Sequence, residues 1–303
     1  MSAPTNAGGM SAARNAPKVL LRGVSKEYET GEGKKRKRFH AVEDINLEVH
    51  EGEFVTLAGP TGCGKSTVLN LIAGFEFPDA GEVLFEGQPV RSAGADRLVI
   101  FQEHGLFPWL TVQKNVEFGL RVLGLGGPER RERASHYLQM VHLQKFRHSY
   151  PFQLSGGMRQ RATLARALAV EPRMLLMDEP FAALDPRTRD ILHVELQNLW
   201  LETHKTIVFV THSVEEALRL SDRVLVMATQ PGRIRKEFRV QLPHPRDFLD
   251  PELATLRAAI LQELKDELDK LTQREGEDDW HLKKDSLGAR PRGPLGLDMG
   301  DGI

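Results

Sequence analysis

The sequence predicts an α/β fold, a mostly parallel sheet with helices on both faces. Four short apolar runs, "EFVTLAGP", "RLVIFQEH", "RMLLMDEP" and "TIVFVTH", are β-branched or rich in Leu, Met and Phe and show little alternation, as strands buried on both sides do. Each run then breaks into polar residues. In an open parallel sheet, ligands bind beyond the carboxyl ends of the strands, so Gly59, Gln102, Asp178, Glu179 and His212 are expected to converge on one edge.

The composition is that of an ordinary globular protein and bounds what the edge could serve. Over 303 residues, 41 Lys plus Arg face 42 Asp plus Glu, a formal net charge of -1, so the broad basic field that nucleic-acid binding uses is missing. The single cysteine, Cys63, excludes an intramolecular disulfide and fits a reducing compartment. No apolar run approaches the ~18 residues needed to cross a bilayer. The chain is therefore expected in the cytosol, with any membrane role supplied by a partner. Residues 1–17, rich in Ala, Gly, Ser and Asn, lack the apolar core of a secretory signal and read as a disordered tail.

Taken in order, "KVLLRGVSKEYE" and "HAVEDINLEV" read as two strands joined at a hairpin tip that holds the basic run "KKRKR", Lys34 to Arg38. That run is either a solvated loop or a contact for an anionic lipid headgroup or RNA. The first core strand then enters "GPTGCGKST", which fits the pattern Gly, four residues, Gly-Lys-Ser. Gly59, Gly62 and Gly64 permit backbone conformations that turn successive N–H groups inward. With Pro60, Thr61 and Cys63 they form an anion nest at a helix start. Lys65 is placed to reach the β- and γ-phosphates of a nucleotide, Ser66 to offer a hydroxyl to Mg²⁺, and Thr67 to lie near the α-phosphate. Lys65 and the helix start would lower the Cys63 thiol pKa, which makes alkylation at this loop conceivable; a small residue tolerated at the position is the plainer account. The helix "VLNLIAG" keeps Val68, Leu69 and Ile72 on one face and stops at Gly74.

Beyond Gln102 the chain turns helical, and "LFPWL" precedes the first helix. Phe107 and Trp109 either pack in that subdomain's core or line a docking groove. "QLSGGMRQRATLARALA" begins with Ser155 as an N-cap and Gly156 and Gly157 with open N–H groups, a second anion-binding helix start. "RMLLMDEP" ends in Asp178, able to hold Mg²⁺ through its waters, and Glu179, the candidate general base. His212 ends the next strand and reads as a γ-phosphate contact, with a structural histidine as the alternative. From Asp250 an amphipathic helix carries Leu253, Leu256, Ile260, Leu264, Leu268 and Leu271 on one face, expected to pack on the domain or on its twin. Residues beyond Gln273 read as a disordered tail.

The order "GPTGCGKST", Gln102, "LSGGMRQR", "LLMDEP", "ALD" and "THS" resembles ATP-binding cassette (ABC) proteins, the motor subunits of ABC transporters, over about residues 18–245. The resemblance implies a P-loop NTPase cassette with a mostly parallel core sheet, an antiparallel β subdomain and an inserted helical subdomain at about 103–158. The cassette would fill 18–249, followed by the helix at 250–272 and a tail at 273–303. ATP and Mg²⁺ are implied as its ligands. Two cassettes, as a homodimer, would face head to tail. Lys65, Ser66, Gln102, Asp178, Glu179 and His212 would act in cis, with Gln102 also serving the metal and catalysis. Ser155, Gly156 and Gly157 would complete the partner's site, and Asp185 matches the loop that crosses the dimer. Tyr28 matches the family's adenine-stacking aromatic, a role that the insertion at 31–38 could shift to Phe39.

"FQEHGLFPWLTVQKNVEFGL", "DEPFAALDPRTR" and "PGRI" followed by "LPHPR" resemble importers of nitrate, sulfonates and taurine. Here the usual "THD" is "THS", with Ser213 in place of the acid, and Ala182 or Ala183 stands where a small or hydroxyl residue is usual. Such a subunit would sit on the cytoplasmic face of the inner membrane against a permease, with a solute-binding protein as an indirect partner. Two other classes are weighed: a soluble ABC ATPase acting on nucleic acid or ribosomes, and a nucleotide-gated interaction module without turnover. The single cassette, the near-neutral charge and the lack of a coiled coil or zinc pattern speak against the first. Intact Glu179 and His212 speak against the second.

Overall fold

Alternation between buried and exposed residues builds the first layer. Val19 and Leu21 on β1 (Val19–Thr30) and Ile45, Leu47 and Val49 on β2 (Lys37–Val49) face inward, while Arg22, Asn46 and Glu48 face out. In the computed structural model, which describes residues 16–30, 37–103 and 105–287, these two strands pair antiparallel from Val19↔Val49 to Thr30↔Lys37. With β4 (Ala80–Phe85) and β5 (Gln88–Pro89) they form a four-stranded sheet in the order β2-β1-β4-β5. Residues 1–15, the hairpin tip at 31–36 and the end from 288 lie outside the described residues. So do most of the basic run and most of the expected N-terminal tail. Arg38 itself lies on β2 opposite Glu29.

The second sheet is the expected parallel core. Its order is β10-β9-β3-β8-β7-β6, with β3 at Phe54–Ala58, β6 at Arg97–Ile100, β7 at Met174–Asp178, β8 at Thr206–Thr211, β9 at Arg223–Ala228 and β10 at Arg233–Arg239. All pairs are parallel except β9 with β10. Strands β3 and β8 are buried along their whole length, as their unbroken apolar runs require. Strand β6 departs from that expectation: it is the edge of the sheet, and Arg97, Leu98 and Val99 are only half-buried.

Helix α1 (Lys65–Ala73) follows β3 and ends at Gly74, which adopts the left-handed conformation (φ 78°) and returns its N–H toward the last turn. The helical subdomain holds α2 (Val112–Val122), α3 (Gly127–Met140) and α4 (Gly156–Ala169) around a core of Val116, Leu120, Leu138 and Ala165. Buried Asn115 staples the "LFPWL" turn to α2. Its Oδ1 accepts from Phe107 N at 2.8 Å, and its Nδ2 donates to the carbonyls of Phe107, Leu110 and Thr111 at 3.1 Å. Phe107 is half-buried against Phe118, but Trp109 is 70% exposed, so the core reading fails for Trp109. The turn that Asn115 holds points the indole outward.

Helices α5 (Pro186–Thr203) and α6 (Val214–Leu220) complete the layers, and α7 (Pro251–Leu287) closes the domain. The "LPHPR" segment anchors that closure: buried Arg246 donates to Leu218 O and Ser221 O at 2.6 and 2.7 Å, taking up carbonyls at the end of α6. Leu253, Leu256, Ile260 and Leu264 pack on α6 and β9, so α7 rides on its own domain. Two expectations for this helix are corrected. Leu268 is 51% exposed, because Glu267 turns inward instead, accepting Thr229 N at 3.1 Å and pairing with Arg235 and Lys270. The backbone also stays helical to Leu287 rather than ending near 272, over a polar segment that contains no proline.

Replacing Ile260 by Ala should lower unfolding free energy in urea by about 2–4 kcal/mol, through the lost transfer energy and the cavity. Leu268→Ala should stay within about 0.5 kcal/mol. Equal effects would mean that α7 does not pack as described.

Candidate functional site

The parallel ladder aligns the strand ends residue by residue. Ala58 sits beside Thr211, Asp178 beside Val210, and Ile100 beside Met177. The loops that follow therefore open on the same edge, as the sequence predicts. They enclose a pocket of about 410 Å³ lined by Thr61, Gly62, Gly64, Lys65, Ser66 and Thr67 from the glycine-rich loop, by Gln102, Asp178 and Glu179 from the neighbouring strands, and by Tyr28, Phe39 and Ala41 from the hairpin. A larger cleft of about 510 Å³ opens between the sheets at the amino end of β3; within its charged lining Arg223 pairs with Glu53 and Glu237.

The loop has the geometry of an anion cradle. Gly62 and Gly64 have φ of 81° and 91°; a side chain at Gly64 would lie 2.5 Å from Val42 Cγ1, so only glycine fits there. Lys65 is 5% exposed, and its ammonium donates to the carbonyls of Gly59 and Pro60, both at 2.8 Å. Gly59, Pro60 and Cys63 thus form the base of the loop rather than the pocket lining. Burial pushes the Asp178 carboxyl up, as does the charge of Glu179, while the Ser66 hydroxyl that donates to it and the Lys65 charge oppose the rise. A hydroxyl already in contact with a half-buried carboxylate at a phosphate loop is a donor set that fits Mg²⁺, a hard cation that takes oxygen ligands.

Glu179 occupies the left-handed region (φ 43°), strain that a non-glycine residue rarely carries, and its N–H donates to Val210 O at 3.0 Å. Its Oε2 lies 3.1 Å from His212 Nδ1. An ionised carboxylate only accepts, so this contact is a hydrogen bond in the tautomer that carries the proton on Nδ1. On the opposite wall Tyr28 and Phe39 are direct cross-strand partners and both line the pocket, so both candidates for the aromatic role stand beside the site. The Tyr28 hydroxyl is tied to Glu76, itself held by Asn70 at 3.2 Å, and to Thr67; burial and then Glu76 push the phenol up to about 12. No motif marks Glu76, which lies far from Tyr28 in the sequence and meets it only through the fold.

The second helix start stands apart. Ser155 caps α4, its hydroxyl accepting Met158 N at 3.3 Å, but Ser155, Gly156 and Gly157 do not line the pocket, nor does Asp185. A side chain at Gly157 would come within 2.4 Å of Thr188 Cγ2, so this glycine is needed for α4 to approach α5. Asp185 caps α5 by accepting Thr188 N at 3.0 Å, and the Thr188 hydroxyl, then this backbone N–H, hold its carboxyl below the usual range.

A family profile described as ABC transporter matches residues 42–182. An uncharacterized ABC transporter ATP-binding protein of Methanocaldococcus jannaschii is 52% identical over 231 residues, 76% of this chain and 86% of that one. The chain belongs to the ABC transporter ATP-binding proteins. The cassette is an ATPase of that family and binds ATP. A nitrate import ATP-binding protein of Synechocystis is 47% identical over 209 residues, 69% of this chain and 79% of its own length, and a taurine import ATP-binding protein of Jannaschia is 41% identical over 239 residues, 79% and 87%. Among solved structures, an ATP-binding cassette dimer in a post-hydrolysis state with ADP and Pi matches with a TM-score of 0.65 and 36% identity, covering 74% of this chain and all of that one. Among the described residues, no helix is long and apolar enough to cross a membrane.

Cys63 has the surroundings of the plainer reading, an inert small residue, and not of a reactive thiol. It is fully buried, and burial pushes its pKa up against the opposing pull of Lys65, whose ammonium is 3.9 Å away and spends its short bonds on carbonyls. Maleimide at pH 7 should therefore label the native cassette on the order of tenfold more slowly than the urea-unfolded chain, with or without MgATP. Fast labelling that MgATP suppresses would restore the reactive reading.

Proposed function

We propose that this cassette powers import of a small anionic solute of the nitrate, sulfonate or taurine class, through ATP-driven closure of two identical cassettes against a permease. The observation that carries the motor reading is the pairing of His212, itself outside the lining, with Glu179, which lines the Lys65 pocket. The exclusion of Ser155, Gly156 and Gly157 from that pocket supports a site shared by two copies, since their helix start needs an anion from elsewhere. The substrate class rests on the relatives, whose names include nitrate, aliphatic sulfonate and taurine import.

In this reading the loop amides and Lys65 bind the phosphates, leaving the carbonyls of Gly59 and Pro60 as the lysine's resting partners. Ser66, Asp178 and Gln102 would hold Mg²⁺, which neutralises phosphate charge when bound. Tyr28, or Phe39 beside it, stacks on the base, and the tie to Thr67 and Glu76 fixes the tyrosine's orientation. Glu179 orients a water in line with the γ-phosphate and takes its proton as the new O–P bond forms and the bond to ADP breaks. His212 holds the far carboxylate oxygen through Nδ1; donation from Nε2 to a phosphate oxygen then requires the imidazolium form. Exposed aromatic residues on both sides of Gln102, Phe101 stacked on Phe75 and Trp109 beyond, support permease docking next to the site.

Glu179→Gln should lower kcat by about a hundredfold or more and leave an ATP-bound dimer visible by light scattering, whereas Lys65→Ala should lose nucleotide binding and remain monomeric. Parental turnover in the Gln variant would refute the base assignment. In proteoliposomes with the co-purified permease, Trp109→Ala should lose solute uptake while the isolated chain keeps its ATPase and its stability within about 0.5 kcal/mol.

A further inference from the structure

Behind the wall that carries Glu179 and His212 lies a carboxylate out of reach of any ligand in the pocket. Glu216 sits in the first turn of α6 with a side chain only 7% exposed. Its Oε2 accepts from Thr211 Oγ1 at 2.5 Å, one residue before His212. Its Oε1 lies 3.2 Å from His193 Nε2 and 3.8 Å from Arg189 Nε, both on α5. Its own N–H donates to Ser213 Oγ at 3.3 Å, so the loop from Thr211 to Ser213 is held from both ends.

The partners reach the other active segment. Arg189 Nη2 donates to Leu184 O at 2.9 Å and to Ala182 O at 3.5 Å, the carbonyls between Glu179 and Asp185. The His193 ring meets the edge of Phe181 at 5.1 Å. One buried carboxylate therefore links the strand end bearing His212 to the turn that follows Glu179. Burial alone pushes the Glu216 carboxyl up; the hydrogen bonds of His193 and Thr211 and the charges of His193 and Arg189 more than offset this and hold it below the usual range. A buried ion pair is a weak source of stability compared with apolar packing, so this one is better explained by the geometry it enforces.

We propose that Glu216 is a positioning residue for hydrolysis: it sets the Thr211–His212 segment and, through Arg189, the segment from Ala182 to Asp185 in one register, so that His212 faces Glu179 while Asp185 faces the second cassette. This rests on the reading of Glu179 and His212 as the hydrolytic pair.

The test compares steady-state ATPase with equilibrium binding of a fluorescent ATP analogue for the full chain and its variants. Glu216→Gln keeps a partner for Thr211 but removes the charge that Arg189 and His193 face. Its kcat should fall roughly tenfold or more, as a small misplacement of reacting groups costs, while analogue affinity stays within about twofold. Arg189→Gln should show the same split, and the double variant should be no slower than the worse single one, because the two residues act as a unit. Parental kcat in a folded Glu216→Gln, or additive losses in the double variant, would overturn the proposal. Should Glu216→Gln fail to fold, Arg189→Gln and Thr211→Val, each removing one link, decide by the same split. If Glu179→Gln and His212→Ala also turn over at the parental rate, the site reading itself has failed; if they are inactive while the Glu216 and Arg189 variants are not, only this inference has.

Discussion

The parallel ladder between β7 and β8, from Met174 beside Thr206 to Asp178 beside Val210, is the constraint on which the site depends. It brings an apolar strand end carrying two carboxylates level with one carrying a histidine, and the Glu179 N–H extends the ladder by one bond to Val210 O. That extra bond holds Glu179 in left-handed backbone, a strain offset by the buried strands on either side. A slip of one residue would turn Asp178 and Glu179 to the wrong faces.

Around this ladder the charges are arranged so that each carboxylate has a different neighbour. Asp178 meets Ser66 and the Lys65 field, Glu179 meets His212, and Glu216 meets Thr211, His193 and Arg189. Three acids close in space would repel if they shared a partner. In the proposed mechanism that separation would let one serve a metal, one a water and one the framework. The lysine ammonium, bound to two loop carbonyls, shows how the loop satisfies a buried charge by its own backbone.

The outer surface follows a different logic. Asn115 is buried so that the turn before it need not be, and Trp109 is exposed as a result. Large exposed aromatic groups such as Phe75, Phe101 and Trp109 next to exposed Gln102 are more easily understood as part of an interface than as a surface that meets only water. The basic Arg38 at the hairpin and the acidic Glu267 on the buried face of α7 are, by contrast, paired within the domain, with Glu27 and with Arg235 and Lys270.

What the sequence determined by itself was local: the α/β class, the four core strands, the glycines of the phosphate loop, the Ser155 cap and the Gly74 stop. Each of these depends on strand period or on φ/ψ preferences within a few residues. Gly62 and Gly64 announce a left-handed backbone wherever they occur, and an unbroken apolar run announces a strand covered on both sides. The tertiary structure alone decided that Tyr28 and Phe39 share one wall, that Cys63 is sealed, that Trp109 faces outward, that Glu267 replaces Leu268 against the domain, and that Glu216 meets both Thr211 at the end of β8 and His193 on α5. Those outcomes depend on contacts between residues far apart in the chain, and burial and charge pairing across such distances leave no periodic trace in the sequence.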